Sequence, residues 1–111
     1  MSRDDELMNM RYGTLDSTDY LNRDVYDDSD WKMAVLWFSA LAPTSRVSHV
    51  KRHGVTYTTE EVRAFYSIED NSKSCLCSLS PILVNVKTGE ILQAPMVERM
   101  LQAKNTHLQS N

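Results

Sequence analysis

Two cysteines and two histidines are the residues of this 111-residue chain whose types and spacing best support chemistry. Cys75 and Cys77 are separated by one residue, and His49 and His53 lie upstream of them, four positions apart. Thiolate sulfur and imidazole nitrogen are the ligands that Zn²⁺ prefers in tetrahedral sites. On a helical turn the two histidines would share a face. The pattern therefore predicts a zinc ion held by Cys75, Cys77, His49 and His53.

Other interpretations of these residues stay open at this point. The cysteines could be small buried hydrophobes, with the histidines on a solvated surface, and a Cys-x-Cys pair is a weaker metal signal than Cys-x-x-Cys. A Cys/His nucleophile pair is conceivable but lacks a clear third, orienting group. A metal-dependent nuclease would use nearby acids, but Glu60 and Glu61 fit a helix cap and Asp70 a loop. We expect no enzymatic activity.

The charge of the chain is unevenly distributed. The net charge is −3, but residues 1–30 carry −6 and the remainder carries +3. We predict that residues 1–28 form an acidic arm that is either poorly ordered or a docking segment. The docking alternative is favoured by the apolar and aromatic side chains between the acids. Residues 29–104 are predicted to form the folded domain, and residues 105–111 a frayed tail.

Composition limits the class of protein. The chain is long enough for one domain with a small core, of the kind that a metal or oligomerisation often supplements. It contains no stretch of about 18 apolar residues, so no membrane span is expected. The N-terminus is acidic and lacks the apolar region of a signal peptide, which argues against secretion. Two thiols one residue apart rarely pair, so we expect both in reduced form.

The elements that must position the site are predicted from periodicity and turn residues. Apolar residues at helical spacing predict a helix over residues 30–41. A short β-like run at 55–57 precedes a helix with a capping box at Thr58. Residues 82–86 predict a strand, 87–90 a hairpin turn, and 91–92 the start of a return strand. Pro95 suits the start of a final helix. The fold class is α+β, a small single domain with helices packed on a short β-hairpin and a metal-linked loop region.

Several separated motifs, taken together, resemble a known family. They are Trp37-x-Ser39-x-Leu41, Arg46-x-Ser48-His49-x-x-x-His53-Gly54 and Asn71-x-x-x-Cys75-x-Cys77. Over about residues 31–80 the chain is similar to the C-terminal module of Mu F-like phage head morphogenesis proteins, the minor head proteins. The chain departs from the family in having Ala42-Pro43-Thr44 after the tryptophan segment, Glu69–Ser74 before the cysteines, and no long N-terminal portal-associated region.

The resemblance implies a structural, zinc-stapled component of a phage head. It implies portal or capsid proteins as partners, an oligomeric assembly, and a location in the virion and in the host cytoplasm during assembly. Phage DNA is a further expected partner, through Arg46, Lys51 and Arg52. The alternative function is a small phage-encoded effector that binds and inhibits a host or defence protein through the acidic arm. A metal-dependent nuclease or toxin-like enzyme is a weaker alternative.

Overall fold

A computed structural model describes residues 2–68 and 70–109. Four helices and three strands are present in this part of the chain. They are α1 (Arg3–Asp24), β1 (Trp31–Phe38), α2 (Val47–Val50), β2 (Thr56–Tyr57), α3 (Thr59–Ser67), β3 (Ser78–Asn85) and α4 (Ala94–Gln109). The strands form one antiparallel sheet in the order β2-β1-β3. The predicted α+β class is confirmed.

The central strand β1 has both of its faces covered. On one face Val35 and Trp37 pack in a cluster with residues of α1, α3 and the Cys-x-Cys segment. On the other face Leu36 packs with Ile82 of β3 and with two residues of α4. Side chains alternate between the faces of a strand, so consecutive residues of β1 enter different clusters. The fold is therefore a sheet between two helical layers.

The helix predicted over residues 30–41 is wrong, because this segment forms β1. Its apolar residues satisfy a helical spacing, but they are also a nearly continuous apolar run, which suits a strand buried on both faces. Pairing with a neighbouring strand decides between helix and strand. All eight residues of β1 pair with β3, from Trp31 opposite Asn85 to Phe38 opposite Ser78.

Within the segment predicted to be a poorly ordered or docking arm, residues 1–28, residues 3–24 form α1. Ser2 caps this helix by accepting a hydrogen bond from the backbone N–H of Asp5, and three acids occupy its first turn, where the helix dipole favours negative charge. Two residues of the helix itself, Leu15 and Thr18, are fully buried. The segment thus packs on its own domain instead of extending as a tail.

The remaining predictions divide between confirmed and corrected. The capping box at Thr58 is present, with Glu61 as its reciprocal partner. Beyond β3 the return strand is reduced to a single bridge between Val84 and Ile91, so the sheet is built mainly from β1 and β3 instead of the predicted hairpin. Residues 105–109 of the predicted frayed tail belong to α4, which continues to Gln109, and residues 110–111 lie outside the described residues.

Candidate metal centre

Three of the four predicted ligands meet in the core. His49, Cys75 and Cys77 are all buried, and their potential ligand atoms lie within 4.8 Å of one another. Short helix α2 supplies His49, and the cysteines belong to the irregular segment that leads into β3. One residue separates the cysteines, so both side chains can point to the same side of the chain. This buried His/Cys/Cys group could bind a metal ion.

The separations within the group fit one tetrahedral ion. Nδ1 of His49 lies 3.4 Å from Sγ of Cys75 and 3.6 Å from Sγ of Cys77. A tetrahedral Zn²⁺ with Zn–N of about 2.0 Å and Zn–S of about 2.3 Å holds a nitrogen and a sulfur about 3.5 Å apart. The same distances also suit hydrogen bonds to sulfur in the metal-free protein. The donor set therefore needs little rearrangement to take an ion.

The protonation of the group also favours metal binding. Burial lowers the pKa of His49, which keeps the imidazole neutral, as a ligand must be. The hydrogen bond from Cys77 lowers the pKa of Cys75, and Tyr66 adds a second hydrogen bond to the same sulfur at 3.2 Å. The pKa of Cys77 is raised, first by its hydrogen bond to Cys75 and then by burial. Of the two thiols, Cys75 is therefore the one that loses its proton more readily.

His53 does not join this group. It is buried, but its Nδ1 accepts a hydrogen bond of 2.9 Å from the backbone N–H of Ser39. Helix α2 is a single turn that ends at Val50, and the chain then turns to Gly54, whose φ is +78°. The helical face that His49 and His53 were predicted to share is therefore interrupted, and His53 anchors the chain beyond β1 instead.

Arg11 is a component of the centre that the sequence analysis did not identify. The residue is 3% exposed. Its guanidinium donates to the carbonyl oxygen of Cys75 at 2.8 Å and to that of Cys77 at 2.8 and 3.0 Å. It also lies over the ring of Tyr66, 4.9 Å from the centroid. Arg11 falls at helical spacing between Met8 and Leu15, and a charged residue inside an apolar stripe was the available signal.

Arg46 holds the loop that precedes the cysteines. Its guanidinium donates to the carbonyl oxygens of Asp70, Asn71 and Lys73, at 2.6, 3.4 and 2.5 Å. The side chain of Asn71 in turn donates to the carbonyl oxygen of Phe65 in α3. Arg11 thus fixes the backbone of the two cysteines, and Arg46 fixes that of the loop before them.

The other basic residues predicted to contact DNA have different surroundings. The guanidinium of Arg52 lies over the rings of Phe65, Tyr57 and Trp37, at 3.9, 5.0 and 5.4 Å from their centroids. Lys51 is exposed, and its carbonyl oxygen accepts a hydrogen bond from Lys104 of α4. Internal contacts therefore account for the guanidinium of Arg52, as they do for that of Arg46.

Several acids of the N-terminal segment and of the nuclease alternative are likewise engaged within the domain. Asp16 and Asp19 of α1 form ion pairs with Arg63 of α3, both at 2.8 Å. Asp4 accepts a hydrogen bond from the backbone N–H of Ser74, next to the cysteine segment. Asp70 pairs with Lys73 at the surface. The acids of α1 thus help to attach the helix to its own domain.

A small cavity opens beside the candidate metal ligands. Its volume is about 40 Å³, and His49, Cys75 and Cys77 form part of its wall. The remaining wall consists of small, hydroxyl-bearing and basic residues, with one exposed leucine. They are Ala40, Thr44, Ser45, Arg46, Ser74 and Leu76. No carboxylate contributes to this wall among residues 2–68 and 70–109.

Within the part of the chain that the structure describes, the helices are too short or too polar to cross a membrane. Comparison with known proteins adds no relative to this description: no protein-family model, no curated protein and no solved structure matches the chain.

Proposed function

We propose that the protein binds one Zn²⁺ ion through His49, Cys75 and Cys77, and that the ion stabilises the domain. The observation that carries this proposal is the convergence of one imidazole nitrogen and two sulfurs at separations that one tetrahedral ion spans. Two thiolates with a neutral imidazole form a donor set that Zn²⁺ favours. The ion would join α2 to the segment before β3, which are more than 20 residues apart in the chain.

The metal would contribute to folding because the ligands come together only in the folded chain. Binding free energy then adds to the free energy of unfolding. Residues of this chain supply other features of such a site. Burial lowers the pKa of His49 and so favours the neutral imidazole, Arg11 fixes the backbone that carries the thiols, and Arg46 fixes the loop before it. In this proposal the ion has a structural role.

Metal content and ligand identity are tested by elemental analysis of the purified, reduced chain. We expect about one zinc per chain, since the group has a single set of ligands. Cys75→Ser and His49→Ala should remove it, whereas His53→Asn should retain it. Asn keeps an acceptor for the backbone N–H of Ser39, so this variant is a matched histidine control. A wild-type chain without zinc after supplementation would contradict the proposal.

We further propose that the chain is a minor component of a phage head, with portal or capsid proteins as partners. The resemblance to Mu F-like head proteins carries this second proposal. Several residues that carry the resemblance have defined roles in the fold. Trp37 packs with the two cysteines, Arg46 holds the loop before them, and Gly54 takes a positive φ. DNA contact through the basic surface has less support, because Arg46 and Arg52 have internal partners.

The head assignment is tested by mass spectrometry of purified phage particles from the source of the gene. Recovery of the chain in constant proportion to the major capsid protein is the expected result. Absence from the particles, with capture of the free chain on a host protein, would instead favour an effector. Asp5→Asn with Glu6→Gln, at the exposed start of α1, should abolish that capture if the acidic segment carries it.

A further inference from the structure

The candidate metal group is incomplete as a closed structural zinc site. Such sites take four protein ligands, whereas sites with three protein ligands keep a position for water or another small ligand. Only His49, Cys75 and Cys77 meet here among the described residues. The residue predicted as the fourth ligand, His53, uses its Nδ1 to accept the backbone N–H of Ser39.

The candidate ligand group borders a cavity. The three ligand residues form part of the wall of the cavity of about 40 Å³, so space adjoins the point where an ion would lie. A water needs about 10–15 Å³ measured in this way, so the cavity has room for roughly three. The Oγ of Ser45, another residue of the cavity wall, accepts a hydrogen bond from the backbone N–H of Ala42.

The wall of the cavity indicates which ligand it would take. It includes Arg46 and the hydroxyl-bearing residues Thr44, Ser45 and Ser74, and no carboxylate among the described residues. Arg46 keeps its positive charge while its donors bind the carbonyl oxygens of the preceding loop, so it adds to the attraction of a metal ion for a negative ligand without contacting that ligand. The volume of the cavity admits only a few atoms. The absence of a carboxylate from the described wall leaves no group there to act as general base on a bound water. The cavity is therefore suited to binding and not to hydrolysis.

We propose that the fourth coordination position is open, and that it exchanges water for small monodentate anions that enter through this cavity. This inference rests on the proposed metal site and adds an exchangeable ligand to it. The metal would then have a second property besides stabilising the fold, since its occupant responds to the anions around the protein.

The test uses the full chain loaded with Co²⁺ in place of zinc, because Co²⁺ absorbs visible light according to its ligands. We expect a spectrum typical of tetrahedral thiolate ligation, and a saturable change in its bands when sodium azide is added. X-ray absorption at the cobalt edge should count two sulfur ligands before and after azide. Loss of a sulfur on addition would show displacement of a cysteine and would overturn the open position.

A pair of variants locates the entry route. Ala40 lines the cavity and is exposed, so Ala40→Leu should fill part of the space and weaken azide binding severalfold while Co²⁺ still binds. Ala94→Leu, at the exposed start of α4, is the matched control and should leave azide binding unchanged. Equal azide affinity in both variants would overturn the assignment of the cavity as the route.

Failure of this inference and failure of the metal site give different results. Stoichiometric Co²⁺ binding with a spectrum that azide does not alter would overturn the open position and leave the proposed zinc site intact. A wild-type chain that binds no Co²⁺ would overturn both. His53→Asn should keep the azide response, and a response that appears only in this variant would show that His53 closes the site.

Discussion

Arg11 offers the sharpest test of how the fold supports the candidate metal centre. In Arg11→Met the side chain keeps much of its length but loses its charge and its donors. The carbonyl oxygens of Cys75 and Cys77 would then be left without the three hydrogen bonds that the guanidinium donates. A buried polar group that loses its partner costs about 1–3 kcal/mol, so two carbonyls cost about 2–6 kcal/mol.

This loss is large compared with the stability of a domain of this size. At about 0.05–0.15 kcal/mol per residue, a chain of 111 residues unfolds with roughly 6–17 kcal/mol. We therefore expect Arg11→Met to remain folded but with a clearly lower urea midpoint. Residues that orient metal ligands from behind typically change metal affinity about 10–100-fold when they are replaced. Zinc affinity should fall by a similar factor, because the cysteine segment loses its fixed backbone.

Two measurements separate these effects. Urea unfolding with a chelator present gives the stability of the metal-free chain, and competition with a chromophoric chelator gives zinc affinity. Arg23→Met is the matched control, since Arg23 is an exposed residue of the same helix, and surface changes usually stay within about 0.5 kcal/mol. Arg11→Lys should give intermediate values of stability and zinc affinity, because lysine keeps the positive charge but lacks the branched guanidinium that donates to both carbonyl oxygens. If Arg11→Met equals Arg23→Met in both measurements, the reasoning is refuted.

Three further predictions use other parts of the structure. Gly54→Ala should destabilise the chain more than Gly89→Ala in urea unfolding. Both glycines have a positive φ, which costs about 1–2 kcal/mol for other residues. Only at Gly54 would the added Cβ also lie within 3.1 Å of a side chain of α4. Equal losses would refute the close packing. Burial lowers the pKa of His53 in the folded chain, so the unfolded chain binds more protons near neutral pH. The free energy of unfolding should therefore fall as the pH drops below the unfolded-state pKa of about 6.5, and should level off below the lower pKa of the folded state. In the metal-free state His53→Asn should flatten this dependence by up to about 1.4 kcal/mol per pH unit, and an unchanged slope would contradict the shift. Zinc binding at neutral pH should release about one proton, because the pKa of Cys75 is lowered and that of Cys77 is raised. Calorimetry in buffers of different ionisation enthalpy counts the released protons. Release of two protons would show that both cysteines are thiols before the metal binds, and would contradict the prediction.

Residue type and spacing were enough to predict three of the ligands of the candidate site. Cys75, Cys77 and His49 are the soft and borderline donors of the chain that lie close in sequence, and the structure brings them together. His53 could not be separated from them, because its role depends on where α2 ends. A four-residue spacing places two side chains on one face only while the helix continues. Here the helix stops after one turn, at Val50.

The same limit explains the error at β1. Residues 31–38 form an apolar run that fits both a helical face and a strand buried on both sides. The choice depends on what covers the second face, and α4 is more than 50 residues further along the chain. The capping box at Thr58, in contrast, was predictable from the local sequence, because both of its hydrogen bonds form within four residues. Local hydrogen bonding was therefore predictable, and long-range coverage was not.

The acidic segment and the metal group, which the sequence presents as separate features, form one unit. Charge alone suggests that residues 1–28 are solvated, since acids outnumber bases there. Half of the six acids of α1, however, contact its own domain. The same helix places Leu15 against the core and Arg11 against the cysteine carbonyls. The resemblance to head proteins begins only near residue 31, so it omits a residue that the site depends on. The proposed metal binding would therefore depend on the whole domain, because Arg11 of α1 fixes the carbonyl groups of both cysteines.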